Sequence, residues 1–410
     1  MAQMQSPRIK ARPGGGVAPL PIRIAALCAL TQVFDGYDTH AIGLAAPAIA
    51  RAWRLSPTAF ADSFVLSSLG ILAGAVLAGP LGDRLGRKRL LIAGLALAGA
   101  ASLASAGVAS LQTLAWVRLL VGLGIGATLP VTVALLSEHV GARNRANIVM
   151  FMFAGNTLGG FLGGQLAAWL LPHWGWPALF VAGGLAPLAL VPALILFLPE
   201  SRAAPQEARA ARGEHPFSPG LAEPTLRLWT IFFANMLSMS LLTYWLPSIL
   251  SLMHFEPGES AFAASIASAG GLAATLWLSA LTARFGAAAT LAANLAAGAF
   301  FIALIGLANM PRPILLAAIF CSGGCTFGCQ LAANGLAATV YPDRIRATGV
   351  GWALGAGRVG AFAGPALAGF LMAMNWPPRQ AVLSGCAAAL VAACAAAGLR
   401  RADETDADRV

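Results

Sequence analysis

Charged residues are scarce in this sequence of 410 residues. Asp, Glu, Lys and Arg together make up 10% of the chain, whereas apolar residues make up 58%. The mean hydropathy is +0.75. Since a soluble domain carries about 25% charged residues, this composition excludes a soluble enzyme and leaves no room for a large soluble output domain. The sequence is typical of an integral membrane protein.

Two chemical patterns are also missing. No glycine-rich stretch lies between a predicted strand and a predicted helix, the context that a phosphate-binding loop requires. We therefore expect no cofactor and a proton gradient as the energy source. The six cysteines all fall in apolar stretches, so no secreted disulfide framework is predicted. Cys321, Cys325 and Cys329 recur every fourth residue and so share one helix face. They are either small packing residues or soft-metal ligands, and we assign no metal site to them.

Apolar runs long enough to cross a bilayer dominate the chain. About 20 apolar residues span a hydrocarbon core roughly 30 Å thick, and the sequence contains twelve such runs. We predict spans at residues 24–46, 60–81, 90–109, 113–137, 148–170, 178–198, 227–250, 261–282, 288–308, 313–339, 348–371 and 380–399.

Basic residues are distributed unevenly between the predicted loops. If the N-terminus is cytoplasmic, most Lys and Arg residues fall in cytoplasmic segments. Among the loops on the opposite side of the membrane, the basic residues are only Arg51, Arg54, Arg312 and Arg379. This asymmetry follows the positive-inside rule and predicts that both termini are cytoplasmic. It also accounts for the net charge of +10, so the expected surroundings are a lipid bilayer and no nucleic acid is expected as a partner.

The two halves of the chain repeat each other. Pro47 aligns with Pro247, and Arg84-Leu85-Gly86 aligns with Arg284-Phe285-Gly286, at a constant shift. Parallel six-helix repeats are typical of transporters whose substrate site lies between the halves. We predict an all-α membrane protein divided into a cytoplasmic N-tail (1–23), an N-terminal six-helix bundle (24–198), a cytoplasmic linker (199–226), a C-terminal six-helix bundle (227–399) and a cytoplasmic C-tail (400–410).

Several stretches resemble motifs of a known family. The segments "GPLGDRLGRKRLL" at 79–91 and "RLLVGLGIG" from Arg118 are similar to signatures of the major facilitator superfamily. Within it, "DGYD" in the first span, "CQLAANGLAATVYP" in the tenth and "IRATGVGWALGAGRVGAFAGP" in the eleventh resemble the aromatic acid/proton symporters.

This resemblance implies the major facilitator fold, with two pseudo-symmetric six-helix bundles, in the bacterial inner membrane. It also implies proton-coupled uptake, by alternating access, of a benzoate, hydroxybenzoate or hydroxyphenylpropionate type of anion. We expect a monomer to be the functional unit. The alternative substrate is a non-aromatic organic anion, such as a sugar acid or a dicarboxylate.

Polar side chains within the predicted spans are the candidate substrate site. A charge in mid-membrane costs at least about 2.5–3.5 kcal/mol, so each one needs a partner, a wet cavity or a function. Arg358 offers a planar fork of donors that matches a carboxylate at two points, so it is the predicted substrate anchor; a structural ion pair is the alternative.

Arg118 either pairs with an aspartate of the first span or contacts substrate. Gln330 and Asn334 share a helix face and either read ring hydroxyls or bond between helices.

Two carboxylates, Asp35 and Asp38, interrupt the first apolar run in "FDGYDTH". They are three residues apart and so project from neighbouring positions of a helix. Away from water both cannot ionise at low cost, which allows one of them to hold a proton near neutral pH. We predict Asp38 as the proton carrier, competing with the anion for Arg358 when charged, and Asp35 as a cavity-lining group that tunes it. Structural pairing of both aspartates with arginines is the alternative.

A cluster of charges lies at predicted cytoplasmic helix ends. It comprises Asp83, Arg84, Arg87 and Glu138. By family resemblance these residues form a cytoplasmic gate that latches the outward-facing state; for Glu138 a solvated surface acid is the alternative.

Overall fold

The structure is a computed structural model that describes residues 20–139, 145–199, 216–307, 309–342 and 345–407. Most of the predicted N-tail and linker lies outside these ranges. The regular secondary structure of the described residues is helical, as a lipid environment requires, because each backbone polar group must be bonded internally. The helices are α1 (Leu20–Trp53), α2 (Ala61–Leu85), α3 (Arg87–Ala106), α4 (Leu111–His139), α5 (Arg145–Phe197), α6 (Ala222–Leu252), α7 (Pro257–Phe285), α8 (Ala287–Leu307), α9 (Arg312–Val340), α10 (Arg346–Ala373), α11 (Pro378–Ala381) and α12 (Leu383–Ala407).

The prediction of a twelve-span helical fold is confirmed. Within the described ranges, 10 helices are long and apolar enough to cross a membrane. One of them, Ala154–Phe197, has 44 residues and breaks at Gly175, whose φ is 73°, so it supplies two spans. α1 adds another with its 34 residues, although its polar middle lowers its hydropathy. Since α5 holds two spans, α6 is the seventh span, α9 the tenth and α10 the eleventh.

The halves pack their helices in the same order. In the first half α1 packs against α5 and α2 against α4; in the second half α6 packs against α10 and α7 against α9. These are equivalent pairs of spans. The connections after α2 and α7 also match, because Gly86 (φ 89°) and Gly286 (φ 82°) both have positive φ, which a residue with a Cβ adopts only under strain.

The contact between α1 and α5 sets the rotation of α1. A Cβ on Gly36 would collide with the main-chain carbonyl of Asn156, and a Cβ on Gly159 with that of Val33. Such small residues let two helix backbones approach closely. With Gly36 held against α5, the side chains of Asp35 and Asp38 must point toward other neighbours.

The two ends of the molecule differ in how the halves pack. Near Arg51, one hydrophobic core contains residues of both halves, such as Ile42 and Trp245. Toward Asp83 the cores separate, since one contains residues of the first half alone and the other residues of the second half alone. Across the described residues, the halves therefore close together at the Arg51 end and part at the Asp83 end, which we predict to be cytoplasmic.

An ion pair ties the halves together at the closed Arg51 end. Arg51 of α1 binds Glu256, which precedes α7, and Glu256 also caps α7 through a reciprocal capping box with Glu259. The hydrogen bond from Arg51 is the largest cause that lowers the pKa of Glu256. The ion pair therefore stabilises the closed end while Glu256 is ionised.

Neutralising Glu256 is expected to loosen this end modestly, because an exposed ion pair contributes little. A carboxyl with a lowered pKa stabilises the bonded form above its usual pKa, and this stabilisation is lost as the pH falls through the lowered value. Glu256→Gln should thus increase labelling of a cysteine at Thr243 from the Arg51 side at neutral pH, and acid should cause no further increase. Glu223→Gln is the matched control, because Glu223 pairs with Arg227 on the same helix. Unchanged labelling of the Glu256 variant would contradict the expectation.

Candidate functional site

A cavity lies between the two halves, midway along the helices. Its wall combines α1, α2, α4 and α5 of the first half with α6, α9 and α10 of the second, around about 1130 Å³ of unfilled space, its open side included. The apolar part of the wall consists of Ile71, Leu72, Ile125, Leu129, Met236, Met239, Phe327 and Leu354. A mostly apolar wall with a few convergent polar groups is the usual form of a small-molecule site.

Arg358 lines this cavity from α10. Its guanidinium makes no hydrogen bond or ion pair with any residue that the structure describes, and the carboxylate within electrostatic range is that of Asp35 on α1. A guanidinium in this position keeps its fork of donors available for an incoming carboxylate. The alternative role, a structural ion pair, requires an acid within ion-pair distance of the Arg358 guanidinium. The described part of the chain has no acid there.

Asp35 occupies the opposite wall of the cavity. It is 3% exposed and accepts hydrogen bonds from Thr128 of α4 and from Gln32 Nε2, the latter at 3.1 Å. Gln32 also reaches Thr132 Oγ1 at 3.4 Å. Neutral donors thus hold Asp35 in place while it faces the cation of the other half.

Asp38 points into the first half and does not line the cavity. Its Oδ1 accepts a hydrogen bond of 2.8 Å from Ser102 Oγ on α3. Residues three apart are rotated by about 60° on a helix, and this rotation gives Asp35 and Asp38 different surroundings. The predicted competition of Asp38 with an anion for Arg358 does not fit this placement, because the aspartate opposite Arg358 is Asp35.

Arg118 is fully buried in the first half, with an exposed fraction of 0%. Its Nη2 donates to the main-chain carbonyl of Asp38 at 2.7 Å, and its guanidinium carbon lies 5.6 Å from the ring centroid of Phe180. Nε and Nη1 have no hydrogen-bond partner among the described residues. Arg118 thus lies beside Asp38 and outside the cavity wall. This position fits the predicted pairing with an aspartate of the first span, although the hydrogen bond goes to the main chain of Asp38.

Gln330 lines the cavity from α9, and Asn334 lies one turn further along, outside the wall. Gln330 Oε1 accepts a hydrogen bond of 3.1 Å from Asn235, and Gln330 Nε2 lies 3.5 Å from Asn334 Oδ1. Asn235 is the repeat counterpart of Asp35. Gln330 is therefore bonded between helices, as in the interhelical alternative, whereas Asn334 bonds within α9 and its Nδ2 has no partner among the described residues.

The gate residues lie at the open end. Asp83 and Arg84 are exposed, and Arg87 Nη1 donates to the carbonyl of Ala134 on α4 at 3.4 Å. Glu138 belongs to α4, but its side chain lies outside the described part of the chain. In the described part, no hydrogen bond or ion pair joins Asp83 to the second half, as expected for a latch that acts in the opposite conformation.

Neutralising Asp83 is expected to shift the population toward the arrangement that is open at the Asp83 end. A latch of the other conformation changes only the equilibrium between the two, so Asp83→Asn should leave substrate binding nearly intact and slow turnover. Engineered cysteines at the two ends should change in reactivity in opposite directions. Asp62→Asn is the control, because Asp62 is an exposed acid in the first turn of the same helix. Equal reactivity in both variants would disprove the latch.

Sequence reasoning missed the neutral groups that hold the aspartates. Gln32 precedes Asp35 by three residues and was detectable as a neighbour on the same helix face. Thr128 and Ser102 gave no such signal, because hydroxyl side chains are common in membrane helices and their partners depend on how the helices pack.

Comparisons with known proteins agree with this architecture. The sequence profile described as Major Facilitator Superfamily matches residues 28–365 and 228–410. A gallate transporter of Pseudomonas putida is 34% identical over 384 residues, covering 86% of this chain and 86% of that protein. A 3-(3-hydroxy-phenyl)propionate transporter of Escherichia coli (strain K12) is 37% identical over 358 residues, covering 85% and 86%.

A solved structure shows the same fold. The crystal structure of a D-xylose-proton symporter has a TM-score of 0.77 and 16% identity, and the match covers 92% of this chain and 97% of that chain. Sequence and fold lead to one assignment: the chain belongs to the Major Facilitator Superfamily and is a multi-pass membrane transporter, not an enzyme.

Proposed function

We propose that this protein is a proton-coupled symporter that takes up an aromatic carboxylate by alternating access. The observation that carries the proposal is Arg358, whose guanidinium has no hydrogen bond or ion pair with the described residues and lies in a largely apolar cavity, opposite the carboxylate of Asp35. Relatives named for gallate and 3-(3-hydroxy-phenyl)propionate transport, at more than 30% identity, support an aromatic acid.

The proposed binding mode uses both the charged and the apolar parts of the cavity wall. Arg358 holds the substrate carboxylate at two points, and the aromatic ring lies against apolar side chains such as Met239, Phe327 and Leu354. An ionised Asp35 competes with the substrate for Arg358, and a protonated Asp35 does not. Substrate and proton therefore bind best together, which is the requirement for symport.

Asp38 and Arg118 form the second part of the proposed proton path. Asp38 is buried behind the cavity wall, with Arg118 bonded to its main chain. Proton binding at Asp38 changes the charge beside the buried guanidinium of Arg118, two of whose nitrogen atoms have no hydrogen-bond partner among the described residues. This coupling links proton occupancy to the packing of α1, α3 and α4 in the first half.

The arrangement across the membrane completes the proposal. The distribution of basic loops supports an orientation in the bacterial inner membrane in which both termini and the open Asp83 end face the cytoplasm. The described conformation is then inward-facing, and the substrate enters from the Arg51 end in the other conformation. A monomer contains both halves of the cavity and is sufficient for transport.

A ligand screen on purified protein tests the proposal. Benzoate and 4-hydroxybenzoate should raise the thermal unfolding temperature, because a ligand that binds the folded state stabilises it by mass action. Gluconate and succinate, as non-aromatic acids, should not. Stabilisation by gluconate or succinate alone would instead support the alternative substrate, a non-aromatic organic anion. Uptake by proteoliposomes that concentrates the acid without a proton gradient would contradict proton coupling.

A further inference from the structure

Two hydroxyl groups on the cavity wall have no hydrogen-bond partner in the part of the chain that the structure describes. Ser68 on α2 and Tyr244 on α6 both line the cavity and are 4% and 2% exposed. Neither hydroxyl has a hydrogen-bond partner among the residues that the structure describes. Buried polar groups are nearly always hydrogen-bonded in folded proteins, so these two hydroxyls are available for hydrogen bonds with a ligand in the cavity.

Packing holds the Tyr244 ring in place. The Tyr244 ring belongs to the hydrophobic core that crosses the halves at the Arg51 end, and its centroid lies 5.4 Å from that of Phe64. Phe64 precedes Ser68 by about one helical turn, so both lie on the same side of α2. Since Ser68 and Tyr244 both line the cavity, a ligand there can supply the partner that each hydroxyl lacks among the described residues.

The chemistry of that partner follows from the hydroxyls. Each hydroxyl can donate one hydrogen bond and accept others, and a neutral hydroxyl on a ligand can do the same, so it can satisfy both. Tyr244 also lies within electrostatic range of Arg358. One compact ligand can therefore place a carboxylate at Arg358 and reach the closed end with the opposite edge of its ring.

We propose that Ser68 and Tyr244 form a hydroxyl-reading pair that binds a ring hydroxyl on the edge of the substrate away from its carboxylate. This inference rests on the proposed function and assigns its substrate specificity. It moves ring-hydroxyl recognition away from Gln330, which is already bonded to Asn235 and Asn334, and from Asn334, which lies outside the cavity wall. Because the pair joins α2 of the first half to α6 of the second, a bound ring hydroxyl also links the halves at the closed end.

Binding of benzoate and 4-hydroxybenzoate, measured by titration calorimetry, tests the pair. The wild type should prefer 4-hydroxybenzoate by about tenfold or more, because a site built for a hydroxyl discriminates against the analogue that lacks it. Tyr244→Phe and Ser68→Ala should each reduce the preference, and the double variant should nearly abolish it. Benzoate affinity should not fall in any of these variants, which also shows that they remain folded.

Thr243→Val is the matched control. Thr243 lines the same wall, but its hydroxyl already donates to the Met239 carbonyl at 2.9 Å, so the preference should survive its removal. Equal binding of the two acids by the wild type, or a preference retained in the double variant, would overturn the pair alone. A wild type that binds neither acid would instead overturn the proposed function.

Discussion

Replacing Arg358 by Lys is expected to weaken binding of an aromatic acid by about tenfold or more. Lysine keeps the positive charge but lacks the planar fork that binds both carboxylate oxygens. The loss of one hydrogen bond to a charged group costs about 1.5–3 kcal/mol, and about 1.4 kcal/mol is already a factor of ten in affinity. Titration calorimetry with 4-hydroxybenzoate measures this change directly.

The fold should tolerate this substitution, because no hydrogen bond or ion pair to the described residues depends on Arg358. A normal yield and an unchanged unfolding temperature without ligand would show this. Arg284→Lys, which alters an exposed arginine at the open end, should bind the acid as the wild type does. Equal affinity in the Arg358 variant would remove Arg358 as the carboxylate anchor and leave its cost in the membrane unexplained.

Replacing Asp38 by Asn is expected to abolish accumulation of the substrate while leaving binding intact. The amide oxygen can still accept the hydrogen bond from Ser102, and the bond from Arg118 goes to the main chain, so the local structure should persist. The variant is fixed in a neutral state and cannot carry a proton. Proteoliposomes should exchange labelled acid across the membrane but should not concentrate it when a pH gradient is imposed.

Replacing Asp35 by Asn distinguishes the role of Asp35 from that of Asp38. This variant removes the carboxylate opposite Arg358, so acid binding should become tighter near neutral pH and lose its dependence on pH. Asp38→Asn should retain more of that dependence, because Asp38 does not face the cavity. Concentrative uptake by the Asp38 variant would show that the proton travels by another route. Identical behaviour of the two variants would show that the carboxylates act as one unit.

The fold was predictable because one physical demand, crossing lipid, dominates the composition. Apolar length located the spans, and the repeat at Pro47 and Pro247 identified two related halves. Boundaries were less accurate: the first span was predicted at 24–46, whereas α1 runs over Leu20–Trp53. Helices continue beyond the hydrocarbon core with interfacial residues that hydropathy does not count.

The site was predictable only where a side chain is costly in lipid. Arg358, Arg118 and the two aspartates stood out because a buried charge demands an explanation. Which of the aspartates faces the cavity could not be predicted, because the rotation of α1 depends on the contact of Gly36 with α5. The hydroxyls of Ser68 and Tyr244 carry no charge, and their lack of partners is visible only once the helices are packed.

The hydrophobic core at the Arg51 end has a consequence for the balance between conformations. Its contacts between the two halves exist only while that end is closed, so in the proposed alternating-access cycle they act on the equilibrium between two conformations as well as on folding. Burial of one methylene group is worth about 0.8 kcal/mol, which changes a two-state population about fourfold. On the proposed mechanism, packing residues such as Ile42 and Met372 therefore help to set how much of the protein is closed at the Arg51 end, from positions outside the cavity wall.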